Sequence, residues 1–293
     1  MINIELTDNT IEYDGHTLYQ IRTINDNDHH KIHKDTLGGY IDKTSIIADN
    51  AWIEKDAKVY NCCVITGNTL ISQDSIVNNY STVTDSTIEE DNVIITNDSH
   101  IQDNSRIESG TTIDNSTVKD NSTVIGNNFI KNSIISDNTK VFYNSIIVNS
   151  KVKTSNIFGN NTVFDSSIDN SIVQNSVIKN NCVIDHSSII RTIIEDDCII
   201  FNSEIYCDSS PYFNFTRKND NPEYHYCIIK NNTTVSDSTV QEGSIIADNS
   251  SIKNDEVENE YIFNNTIVNY HTTKIKMLDL ITKDNSAVNY QYH

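Results

Sequence analysis

Eight branched aliphatic residues, Ile41, Ile47, Ile53, Val59, Ile65, Ile71, Val77 and Val83, follow one another in unbroken six-residue steps with mostly polar residues between them. An α-helix repeats every ~3.6 residues and an isolated strand every two, so neither accounts for a step of six. The pattern predicts a solenoid, in which each aliphatic marks one short strand facing a shared interior and the intervening polar residues form a corner. Three steps close one coil of a parallel β-helix, so residues about 18 apart lie above one another at a strand spacing of ~4.8 Å.

Beyond Val83 the aliphatics continue at Ile88, Ile94, Ile101, Ile107, Ile113, Val118, Val124, Ile130, Ile135, Val141, Ile147 and Val152. They resume at Ile168, Ile178, Val183, Ile189, Ile194, Ile199 and Ile205, and again from Ile228 or Ile229 through Val235, Val240, Ile246, Ile252, Val257, Ile262 and Ile267. Five-residue steps now enter about once per coil, as in Asp85-Ser86-Thr87-Ile88 and Asn115-Ser116-Thr117-Val118, and shorten the expected coil to about 17 residues. With only 8 glycines and 2 prolines, the corners fall to Asn, Asp and Ser, which tolerate left-handed backbone and bond their own main chain. Each buried Ile or Val is worth about 1.5–3 kcal/mol, so the stacked column is the expected source of stability.

The fold class expected is therefore all-β, a single-stranded parallel β-helix over residues 37–273. Residues 1–36 do not follow the hexad; Ile11-Glu12-Tyr13, the Asp14-Gly15 turn and Leu18-Tyr19-Gln20-Ile21 predict a β-hairpin that covers the open first coil. Residues 206–227 interrupt the repeat as a loop insertion holding both prolines, Pro211 and Pro222, and residues 274–293 are expected to cap the far end.

Composition narrows the function classes. A net charge of −20 disfavours direct binding of nucleic acid or anionic lipid through the general surface, because those contacts need cations against phosphate. It suits a basic protein partner, and it also keeps a repetitive surface soluble. Over a rod of about 55 Å the charge amounts to roughly one per 2.8 Å, against about one per 1.7 Å for duplex DNA, so an acidic decoy is physically allowed. No apolar run reaches membrane-spanning length and no export signal opens the chain, so a cytoplasmic location is expected. The six cysteines lack paired zinc spacing; Cys207 and Cys227 bracket the insertion.

The hexad column with mixed steps resembles the left-handed parallel β-helix of hexapeptide-repeat proteins, a group that includes trimeric acyltransferases. Left-handedness follows from that resemblance alone. A narrower likeness covers roughly residues 9–71: Leu18 through Ile21, Leu37-Gly38-Gly39-Tyr40-Ile41, Ala51-Trp52-Ile53, Ala57-Lys58-Val59-Tyr60 and Gly67-Asn68-Thr69. These segments are similar to the start of an uncharacterised family of bacterial and phage hexapeptide-repeat proteins. That resemblance implies a phage-related, self-associating chain, with a trimer as the group's habit, and brings no established chemistry.

An acyltransferase of this kind would need a histidine base and a groove for acyl-CoA. His100, His186 and His225 are candidates, and His225 is best placed, beside Tyr224 in the insertion with Arg217 and Lys218 nearby. A nucleotide-sugar transferase is disfavoured, because no glycine-rich phosphate loop occurs. Regular threonine pairs for ice binding are also lacking. His29, His30 and His33 lack the partners of a metal site, and neither metal nor cofactor is expected. The leading expectation is a non-catalytic binding or scaffold protein. Its contact residues are Tyr212, Phe213, Phe215, Arg217, Lys218, Tyr224 and His225 in the insertion, with Asp85, Asp103, Asp120 and Asp137 forming a carboxylate row up one corner.

Overall fold

The computed structural model describes residues 4–90, 92–206, 227–241, 244–258 and 261–269. Among these every regular element is a β-strand, mostly two to four residues long, and the strands of successive coils pair in parallel. The chain divides into two compact units, Met1–Val148 and Asn149–His293. Each is a parallel β-solenoid with three faces per coil.

Unit 1 begins with an antiparallel hairpin of β1 (Ile4–Tyr13) and β2 (His16–Thr23), turning at Asp14 and Gly15, both left-handed. Strand β2 pairs antiparallel with β3 (Leu37–Ile41), and β3 opens the parallel stack by setting Ile41 beside Val59. The Gly38-Gly39 pair at this junction has a steric cause. A Cβ on Gly38 would lie 2.5 Å from the Ile53 carbonyl oxygen, and one on Gly39 2.5 Å from that of Glu54. The hairpin tip is tied to the coils by the Tyr60 hydroxyl, which donates to Asp14 at 3.1 Å and accepts from Asn78 at 2.7 Å. Burial above all pushes the Tyr60 phenol up to about 12, so it remains a neutral donor.

The interior is a column of fully buried aliphatics. In unit 1 Val83, Ile88, Ile95, Ile101, Ile107 and Ile113 are among those with no exposed surface, and in unit 2 so are Ile168, Val173, Ile178, Ile184, Ile189 and Ile200. Four positions differ by one residue from the periodic expectation. Ile95, Ile184, Ile200 and Val268 align with the inward stack, whereas Val183, Ile199 and Ile267 are 44%, 48% and 43% exposed. Each mismatch falls in a doublet of aliphatics, where composition cannot tell the inward residue from its outward neighbour. Strand register decides, because a slip of one residue turns every side chain to the other face.

Corner residues two positions before the core aliphatic are small, polar and buried. Ser81, Ser99, Ser116 and Ser133 stack on successive coils of unit 1. Their hydroxyls accept the N–H of the residue one coil further on, Ser99 to Ser81 at 3.3 Å, Ser116 to Ser99 at 3.2 Å and Ser133 to Ser116 at 3.0 Å. Each hydroxyl also donates back to a carbonyl of its own corner, as Ser99 does to Thr96 at 2.6 Å. In unit 2, Ser155, Ser171, Ser187, Ser203 and Ser238 repeat the device. These columns satisfy corner amides that neither strand pairing nor water reaches.

Between Ile178 and Ile200, corner length tracks the number of left-handed residues. The six-residue steps into Ile184 and Ile200 carry two each, Asn180-Asn181 and Asp196-Asp197, while the five-residue steps after Ile184 and Ile189 carry one, His186 and Arg191. Several unit 2 coils are also shorter than the 17 residues expected: Ile157 lies beside Val173, and Ile168 beside Ile184, at offsets of 16, while Val235 and Ile252 keep 17.

Candidate functional site

The four aspartates of the expected row do stack. Their core predecessors Val83, Ile101, Val118 and Ile135 pair in sequence on one face of unit 1, and each aspartate turns the corner with a φ between 45° and 59°. The corner backbone holds them in line, since Asn104, Asn121 and Asn138 donate their N–H to the carbonyls of Asp85, Asp103 and Asp120, each at 2.8 Å. Asp85 also accepts the Asn68 N–H at 2.9 Å, and Asp137 the Ser136 hydroxyl at 2.9 Å. Lys119 meets the row, its ammonium 3.1 Å from Asp120. Its pKa is raised first by the hydrogen bond and charge of Asp120, with Asp137 and Asp103 adding to the pull. One cation therefore feels three of the four carboxylates.

Several other corners set an amide beneath a carboxylate, although Asp169 and Asp185 pair directly at their strand ends. In unit 2, Asn180 donates to Asp196 at 2.7 Å, Asn181 to Asp197 at 3.1 Å, Asn202 to Asp237 at 2.8 Å and Asn231 to Asp248 at 2.7 Å. An amide one coil below each of these carboxylates replaces like-charge repulsion with a charge-assisted hydrogen bond. Sequence reasoning missed these ladders, although Asn and Asp recurring 16 or 17 residues apart was the available signal.

A neighbouring corner of unit 1 carries a second ladder and an open concavity of about 630 Å³, lined by Asn79, Tyr80, Asn97, Asp98, Asp114, Asn115, Lys131 and Asn132. Asn61 donates to Asn79 at 2.7 Å, Asn79 to Asn97 at 3.1 Å and Asn97 to Asp114 at 2.8 Å, and Lys131 closes the run on Asp114 at 2.8 Å. Burial acts to raise the Asp114 pKa, but the hydrogen bonds of Lys131 and Asn97 outweigh it and hold the carboxyl below its ordinary range. On the next corner face Arg106 pairs with Glu89 at 2.5 Å and with Glu108. Glu108 is only 5% exposed, and burial raises its pKa against the pull of Arg106, with Glu89 and Glu90 pushing the same way.

Tyr212, Phe213, Phe215, Arg217, Lys218, Tyr224 and His225 lie outside the described residues, as does Cys207. His100 and His186 are described. His100 Nδ1 shares a 2.7 Å hydrogen bond with Thr82, and His186 pairs with its neighbour Asp185 at 2.7 Å. Neither lines the concavity. Among the described residues no group of three or more His, Cys, Asp or Glu is arranged to hold a metal ion, and no helix is long and apolar enough to cross a membrane. No known family and no curated protein matches the chain.

Proposed function

We propose that the protein is a non-catalytic binding or scaffold protein that engages a basic protein partner through the Asp85–Asp103–Asp120–Asp137 corner. One contrast supports this reading: several corners of unit 2 place an amide against a carboxylate, whereas this corner stacks carboxylate on carboxylate with Lys119 as its cation. Like charges a strand spacing apart repel, and lysines or arginines of a partner would relieve that repulsion while gaining steered association. The hexapeptide-repeat character, left-handed coil and three-fold self-association belong to the same proposal and rest on the resemblance of the hexad column to hexapeptide-repeat proteins; the phage-related origin rests on that of residues 9–71, and a cytoplasmic location is carried with them as expected from the sequence. Within it, residues 1–36 and 274–293 serve as caps and the insertion 206–227 as a further contact element.

The test is a comparison of partner capture by the wild-type chain and by a variant carrying Asp85→Asn, Asp103→Asn, Asp120→Asn and Asp137→Asn. Asparagine already occupies left-handed corners throughout the chain, so this variant keeps the fold. A basic protein retained by the wild type at low salt and lost from the variant supports the reading. Equal capture by both ends it.

A further inference from the structure

Tyr80 and Tyr143 are the misfits among the corner residues of unit 1, at φ 63° and 61° with 60% and 61% of their surface exposed. Of the two, Tyr80 lines the concavity. Bulky side chains are outliers in the left-handed region, and keeping one there costs of order 1–3 kcal/mol unless other contacts compensate. One coil further on, the same corner step is made by Asn97 and Asp98, at φ 54° and 58°, residues that accept this backbone at little cost. Tyr80 donates its N–H to the Asn61 carbonyl at 2.9 Å, as Asp98 does to Asn79 at 2.7 Å, so the main chain gains nothing special from the ring. The ring stands at one end of the concavity whose floor is the Asn79–Asn97–Asp114–Lys131 ladder.

The ladder is half-spent. An asparagine carbonyl oxygen has two lone pairs and an ammonium three N–H groups. Within the ladder Asn79 and Asn97 each accept one amide N–H, Asn97 gives one N–H to Asp114, and Lys131 gives one to that same carboxylate. Asn79 also gives an N–H to Thr96 at 3.2 Å, and the unspent valences belong to residues that line the groove at the strand repeat of ~4.8 Å. Charge is low locally, because Lys131 offsets Asp114 and leaves Asp98 as the other carboxylate of the lining. In a chain of net charge −20 this groove is neither an anion site nor the part that best attracts a polycation. A rigid array of mixed donors and acceptors beside one exposed aromatic ring is suited to a neutral polyhydroxylated chain. Its hydroxyls bond amides and its C–H faces stack on the ring.

We propose that the groove bounded by Tyr80 and Lys131 in unit 1 binds a neutral oligosaccharide, with Tyr80 as the stacking platform and Asn79, Asn97, Asn115 and Lys131 as hydroxyl partners. The site is separate from the carboxylate row and stands or falls independently of it. A calorimetric titration of the full chain with neutral hexaoses of β-1,4-glucose, α-1,4-glucose, β-1,4-N-acetylglucosamine and α-1,6-mannose tests it, with a hexalysine peptide as the competing ligand class. The expected result is saturable binding of at least one hexaose, weakened about tenfold or more (~1.4 kcal/mol) by Tyr80→Ala. Tyr80→Asn supplies the folding control: it should melt no lower than the wild type, because asparagine suits this backbone, yet lose binding equally. Binding unchanged in Tyr80→Asn, no binding of any hexaose by the wild type, or binding of hexalysine alone at this groove would each overturn the assignment.

Discussion

The Asp85–Asp137 corner of unit 1 and the Asn180–Asp196 corner of unit 2 have the same backbone and opposite electrostatics. Both turn on left-handed Asn or Asp residues, and both repeat once per coil. In unit 2 an amide alternates with the carboxylate, and the hydrogen bond between them serves the fold. In unit 1 four carboxylates follow one another, with Lys119 on Asp120 as the cation that meets them. A repeat protein copies its geometry from coil to coil, so this departure from the amide–carboxylate chemistry is what the partner proposal starts from.

The largest expected effect tests the framework both corners share. Ile184→Asp should cost several kcal/mol, about 4 or more, because it places a charge in the dry column. Val183→Asp, one residue away and 44% exposed, should change stability by no more than about 0.5 kcal/mol. Urea unfolding midpoints of the two variants check the inward register directly, and equal losses would refute it.

Next in size is the buried corner hydroxyl. Ser116→Ala removes the acceptor for the Ser133 N–H and the donor to the Asp114 carbonyl, so a loss of about 1–3 kcal/mol is expected. Ser116→Cys, which the Cys182 and Cys198 corners imitate, should recover part of it.

The corner comparison itself is sharpened by exchanging the chemistries. Asp103→Asn with Asp120→Asn should raise stability by about 0.2–1 kcal/mol, while Asn180→Asp with Asn181→Asp should lower it by a similar amount. Both changes should shrink in high salt, which screens exposed charge. If the first pair is destabilising, the unit 1 row serves the fold and the partner proposal loses its support.

The smallest effect is one of pH. Glu108, with its pKa raised by burial, contributes stability that is full below the unfolded value of about 4.3 and is lost as the pH climbs through the folded value. Asp114 has a lowered pKa, so its contribution is present above about 3.9 and is lost as the pH falls through its folded value. Glu108→Gln should flatten the decline on the higher-pH side and leave the acid side unchanged, as read from melting temperature against pH.

The solenoid, its three faces, the hairpin at Asp14-Gly15 and the alignment of the four aspartates were legible in the chain, because a hexad of aliphatics admits one closed, dry arrangement. The positions that misled were the doublets Ile94-Ile95, Val183-Ile184, Ile199-Ile200 and Ile267-Val268, where two neighbouring residues satisfy the period equally well. The Tyr80 groove was not legible either. Its residues come from four corners spaced 17 or 18 apart, and only the stacking of the coils brings Tyr80 beside the ladder.

What the amino-acid order determined by itself is the repeat, since burial of Ile and Val every five or six residues depends only on local spacing and on the solubility of the residues between. Tertiary structure alone decided which member of each aliphatic pair faces inward and how long each coil is. It also decided which side chains bond across coils, because these depend on register between strands that lie 15 to 19 residues apart in the chain, or 35 across the insertion.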